Sequence, residues 1–224
     1  FRVKCWDMGV KNADGEIETK TLYAYQCTIR ALQNDTDDAS FDITAWQKRV
    51  RTVKPSKAKT KRGGSGTYVI LLGDPQIGKK GTSEALENWT RAVEGHLPHA
   101  ERADRVCVAF MGDETEGYAN NYANQAHTIE MKYSTQIETD FDMRCWTLAQ
   151  LCQSTNLTDV VSVISNHGEW TRNGSKDPVT SRGDNASTTV ARLVSRVYPA
   201  LDWHIQEGNP INVVDLGGVR AAFT

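Results

Sequence analysis

Three short stretches of this 224-residue chain carry side chains that could do chemistry. Each follows an apolar run: Asp74-Pro75-Gln76 after residues 68–72, Gly112-Asp113 after 106–111, and Asn166-His167 after 160–164. Each run reads as a buried strand that delivers oxygen or nitrogen donors to one rim of a sheet. A carboxylate with a carboxamide, a second carboxylate, and a carboxamide beside an imidazole make up the donor set that a pair of divalent metals would take. Metals held in this way would assist attack of water on a phosphate ester. Taken singly, Gly73-Asp74-Pro75 and Gly112-Asp113 are ordinary strand-to-turn exits, and Asn166-His167 is an ordinary polar turn. Their recurrence at three strand ends is what points to a site.

Residues placed like this need a sheet whose strands all end on one side. The spacing predicts a helix over 82–97, with Leu86, Trp89 and Val93 at helical intervals and Ser83 as its N-cap. A strand over 105–111 follows, then a helix over about 128–152 with Ile137, Phe141, Leu148 and Cys152 along one side. A strand over 159–164 precedes a helix over 187–197 that turns Val190, Leu193, Val194 and Val197 inward. Such alternation predicts an α/β fold with a mainly parallel sheet and right-handed crossovers that lay helices on its faces. Ligands of such sheets bind in the crevice beyond the carboxyl ends of the strands. Further on, residues 203–206 and 212–216 read as an antiparallel pair across Gly208-Asn209-Pro210. Gly217-Gly218 then turns into a last strand over 219–224, so a second, mixed sheet is expected.

In this order and at these strand ends, Asp74-Pro75-Gln76, Gly112-Asp113-Glu114-Thr115-Glu116 and Ser165-Asn166-His167-Gly168-Glu169 resemble the motifs of calcineurin-like metallophosphoesterases. The similarity covers about residues 67–224 and is nearest to phage-encoded members and to the exonucleases that process DNA ends. The resemblance implies a four-layer α/β/β/α sandwich and two divalent ions, with Mn²⁺ ahead of Fe, Zn or Mg. It implies Asp74 and Gln76 on one ion, Asp113 bridging both, and Asn166 on the other through its amide oxygen. His167 would lie over the scissile phosphate as a catalytic group and not as a ligand, with Glu116 and Glu169 supporting from behind. Gln76 stands where the family has His, Glu116 where it has a second Asp, and Ser165 where it has Gly. Family members also carry His-containing segments after a strand like 219–224. The domain over 67–224 therefore reads as C-terminally incomplete, with a His expected just past Thr224. His127, in the polar stretch after the second motif, and Arg172 and Arg182, in the long polar loop after the third, are candidates for substrate contact.

Composition sets the frame around these motifs. With 39% hydrophobic residues the chain can bury one large core, and no apolar run is long enough to span a membrane. No signal peptide is visible, and five cysteines without CxxC spacing suit a reducing compartment. The expectation is a soluble cytoplasmic protein, in the bacterial host cytoplasm if phage-encoded. Net charge is −2, yet residues 43–73 hold no Asp or Glu and carry Lys48, Arg49, Arg51, Lys54, Lys57, Lys59, Lys61 and Arg62. Together with Pro55 and Gly63-Gly64-Ser65-Gly66, residues 51–66 read as a basic flexible linker, either a solvated tether or a contact for a phosphate backbone. Residues 1–50 read as a small β-rich element, with a strand over 20–30 after an Asp14-Gly15 turn and a short helix near 43–50. The chain opens without Met and reads as part of something longer. His96 and His99 read as solvent-facing, and His204 as a half-buried structural residue.

The expected activity is hydrolysis of phosphate esters, with DNA or RNA favoured as substrate because of the basic strap. The alternative is a weak or inactive module of the same fold that binds nucleic acid or a protein partner.

Overall fold

The computed structural model describes residues 2–11, 17–26, 42–59, 66–117, 125–170 and 181–224. The chain divides into two units, Phe1–Ala39 and Ser40–Thr224. In the first, β1 (Arg2–Lys11) and β2 (Ile17–Gln26) pair antiparallel from Arg2 opposite Gln26 to Lys11 opposite Ile17. The Asp14-Gly15 turn and residues 27–30 lie outside the described residues.

Alternation of apolar side chains along its central strands organises the larger unit. β3 (Thr67–Leu72), β4 (Arg105–Phe110), β5 (Leu157–Ser162) and β6 (Asp202–Ile205) form one parallel sheet in the order β3-β4-β5-β6. Val106, Val108 and Phe110 of β4 and Val160 of β5 enter one core, while Cys107, Ala109, Val161 and Val163 enter another. The first core is built with α1 (Ile43–Arg51), α2 (Thr82–Ala100), α3 (Tyr133–Ser154) and α4 (Ala186–Val197). The second is closed by Val214, Leu216 and Phe223 of an antiparallel pair, β7 (Asn212–Asp215) and β8 (Arg220–Phe223). All four helices thus serve one face and a small second sheet the other; that sheet was expected as mixed, and its described strands pair antiparallel.

Several elements depart from their sequence reading. The stretch over 203–206 does not pair with 212–216; as β6 it adds parallel to β5, because Trp203 packs against the helix-side core and His204 bonds to Asp159 of β5. The N-cap of α2 is Gly81 with no side-chain bond, not Ser83, and the helix continues past Pro98. Leu193 points outward, 40% exposed. α3 is buried on more sides than its apolar stripe suggested, with Gln136, Thr139, Asp140, Arg144 and Thr147 all inside. His96 is half-buried, its Nδ1 2.9 Å from the Tyr68 hydroxyl.

The helix near 43–50 belongs to the larger unit, not with the N-terminal strands. Asp42 caps α1 by accepting from the N–H groups of Thr44 and Ala45, a contribution of about 1 kcal/mol. Trp46 is buried with its indole N–H on Thr90, and Arg51 pairs with Asp142 at 2.7 Å. The basic strap continues from α1 as packed chain: Val53 and Ala58 lie against the core, and the Lys59 N–H donates to the Thr155 carbonyl. Lys61, Arg62 and the Gly63-Gly64-Ser65 tract lie outside the described residues. Lys57 and Ala58 border a cavity of about 500 Å³ with Leu157, Tyr198 and Asp202, at the amino ends of β5 and β6.

Candidate functional site

The carboxyl ends of β3, β4 and β5 bring the three sequence motifs together. The first two loops are stitched backbone to backbone: the Asp74 N–H donates to the Gly112 carbonyl and the Gln76 N–H to the Asp113 carbonyl, both at 3.0 Å. Ile77 and Glu116 continue the stitching, with Ile77 N–H to Glu114 O and Glu116 N–H to Ile77 O, both at 2.8 Å. Among the described residues, the non-glycine positions with positive φ are Asp74 (62°), Gln76 (43°) and Asp113 (55°). Each such conformation costs on the order of 1 kcal/mol, and strain of this kind gathers at functional sites. Gly112 has φ 87°, and a Cβ there would meet the Ile164 carbonyl oxygen at 2.9 Å, so the second and third loops can touch only through glycine.

The third loop is fastened to the second by side chains. The Ser165 hydroxyl donates to Asp113 Oδ1 at 2.7 Å and accepts the N–H groups of His167 and Gly168 at 3.1 and 2.9 Å. The His167 N–H also approaches Asp113 Oδ1 at 3.4 Å. Asn185, the N-cap of α4, donates from its amide to the Ser165 carbonyl at 2.6 Å. His167 Nδ1 lies 3.2 Å from the Glu116 carbonyl and 3.3 Å from the Glu116 carboxylate. Both neighbours are acceptors, an environment that a protonated Nδ1 satisfies.

Beneath the rim lies a buried ionic group. Glu114 accepts the Gly112 N–H at 3.2 Å and the Ser187 hydroxyl at 2.6 Å, and pairs with Arg144 at 3.0 Å. Arg144 also holds Asp140 at 2.8 Å, bonds the Ser162 hydroxyl at 3.1 Å, and lies over the Phe110 ring. Gln136 clamps Gly117 at both its N–H and its carbonyl, each at 2.9 Å. The motif loops therefore rest on α3 and α4.

The rim is an oxygen-rich, acidic place. Burial pushes the Asp74 carboxyl above its ordinary range, and the Asp113 carboxylate adds to this, against the pull of His167 and Lys79. A bound cation would relieve both effects. The oxygens these loops could offer a cation are the carboxylates of Asp74 and Asp113 and the Asn166 carboxamide, hard donors that would suit Mg²⁺ or Mn²⁺, while the Gln76 carboxamide oxygen accepts from the Lys79 ammonium. Among the described residues, no group of three or more His, Cys, Asp or Glu gathers to hold a metal ion.

The other sequence candidates occupy segments flanking these loops. Glu169 is half-buried and its backbone bridges to Asn185. His127 is exposed on a single 3₁₀ turn, Gln125–His127, and Arg182 is exposed before α4; neither shares a hydrogen bond or ion pair with the rim among the described residues. Arg172 lies outside the described residues. Sequence reading missed Ser165 as a fastener, the buried Glu114 and Arg144, the Gln136 clamp, the Asn185 cap and Lys79. The one available signal was Asn185 two residues before Ser187, a capping pattern at the start of a helical run.

In comparison with known proteins, the chain matches no family model and no curated protein.

Proposed function

We propose that the chain is a divalent-metal-dependent phosphoesterase of the metallophosphoesterase fold, with nucleic-acid phosphodiesters as its preferred substrate class. The observation that supports it is the meeting, at one sheet rim, of Asp74 and Asp113 with an imidazole whose inner nitrogen is held by Glu116. Asp74, Asp113 and Asn166 would hold the metal, which when bound would neutralise the phosphate and acidify the attacking water. Asp113 is oriented by the Ser165 hydroxyl, so its carboxylate is presented at a fixed angle. His167, whose ring is held by Glu116, would act on the proton at the leaving oxygen, protonated on the nitrogen that faces it. A cytoplasmic setting is part of the same proposal: Cys107, Cys145 and Cys152 are free thiols, and among the described residues no helix is long and apolar enough to cross a membrane.

The test is hydrolysis of bis(p-nitrophenyl) phosphate, p-nitrophenyl phosphate and single-stranded DNA with Mn²⁺ or Mg²⁺, with a chelator as control. We expect chelator-sensitive turnover that favours the diesters. Equal, chelator-insensitive rates in wild type and Asp113→Asn would overturn the proposal.

A further inference from the structure

Lys79 is the residue at this rim that the metal-site reading does not use. Its backbone is held firmly: the Lys79 N–H donates to the Gln76 carbonyl at 3.0 Å, closing a tight turn through Gly78 at φ 103°. The Lys79 carbonyl accepts the Thr82 hydroxyl at 2.8 Å, and that hydroxyl also accepts the Gly78 N–H at 2.9 Å. Lys79 further bridges to Ile129, and the neighbouring Lys80 N–H donates to the Thr128 carbonyl. From this fixed base the Lys79 ammonium reaches back over the turn and donates to Gln76 Oε1. It also acts electrostatically on Asp74.

A carboxamide oxygen already accepting from an ammonium is a poor ligand for a second cation, because two positive charges would then share one neutral donor. The carboxylates of Asp74 and Asp113 together carry the charge that balances one divalent ion. An ammonium carried by the chain supplies positive charge at this place without needing ligands of its own, and it can donate directly to a phosphate oxygen.

We propose, on the basis of the phosphoesterase reading, that Lys79, seated by Gln76, takes the place of a second metal ion, so that the site holds one divalent cation at Asp74, Asp113 and Asn166 and binds the substrate phosphate between that cation and the Lys79 ammonium. Gln76 is then a positioning residue for Lys79. This departs from the two-ion site that the sequence resemblance implies.

The experiment titrates Mn²⁺ alone into the chain by calorimetry and records the electron paramagnetic resonance of the loaded protein. Inorganic phosphate is then titrated into Mn²⁺-loaded wild type and Lys79→Met. We expect one Mn²⁺ per chain with the spectrum of an isolated ion, and phosphate affinity about tenfold weaker in Lys79→Met at unchanged metal stoichiometry. Two tightly bound, exchange-coupled Mn²⁺ ions in wild type would overturn this inference while leaving the phosphoesterase reading standing. Unchanged phosphate affinity in Lys79→Met would also overturn it. Failure to bind Mn²⁺ at all would overturn both. Lys79 is exposed and its backbone bonds do not involve the side chain, so the variant keeps the fold.

Discussion

Asp113 concentrates more of the rim's interactions than any other candidate ligand, receiving the Ser165 hydroxyl and the His167 N–H while lying close enough to Asp74 to raise its carboxyl. Asp113→Asn keeps the shape and removes the charge, so metal-dependent hydrolysis should fall to background, with Mn²⁺ affinity lost in parallel by calorimetry. His167→Ala should slow turnover by about 10²–10⁴ with metal content intact, read by kinetics beside elemental analysis. Loss of metal in that variant would make His167 a ligand. Four of these positions, Asp74, Asp113, Asn166 and His167, were legible in the sequence because each sits just beyond an apolar run. Ser165 was seen only as a departure from a motif, and Glu116 as a departure that supports a ligand from behind. Their partners, Asp113 and His167, are some fifty residues away in the chain, and no local pattern records a contact of that span.

At the scale of elements, α3 shows where periodicity stops being informative. Its apolar stripe was readable; its second buried face, made of Gln136, Asp140 and Arg144, looks like solvated surface until Glu114 arrives from another element to complete the ion group. That group has a consequence for acid stability. Burial pushes the Asp140 carboxyl up to about 6 from its ordinary 3.8, against the attraction of Arg144. A carboxyl raised on folding contributes stability that is fully present below its unfolded value and lost as pH rises through its folded value. Between about pH 4 and about pH 7, wild type should therefore lose more stability than Asp140→Asn, a slope measurable by denaturant unfolding of both proteins. A steeper loss in the variant would contradict this. Arg144→Met, which strands two buried carboxylates, should cost about 3–5 kcal/mol at neutral pH in the same assay.

For the molecule as a whole, the basic strap is the feature whose meaning changed most on folding. Composition marked it as a tether, yet Val53 and Ala58 are anchored, and the described part ends beside the amino ends of β5 and β6, opposite the rim. The hydrophobic residues that anchor it are single and unpatterned, which is why sequence could not distinguish packed strap from linker. A substrate touching both strap and rim must span the strands, about 20 Å for six residues. Replacing Lys54, Lys57 and Lys59 with Gln should weaken DNA binding and flatten its salt dependence while leaving a small chromogenic diester unaffected. Equal loss on both would assign the strap a structural role.

The sheet order also has a temporal reading. Because β3, β4, β5 and β6 lie side by side in chain order, each strand emerging from the ribosome finds its predecessor already in place, and no slot must be held open for a later segment. The stitched pair of carboxylate loops can form once β4 has docked, while the imidazole arrives only with β5, and its loop gains its last tie when α4 supplies Asn185. During synthesis the two carboxylate loops of the rim are thus assembled first, and the loop that carries Asn166 and His167 last.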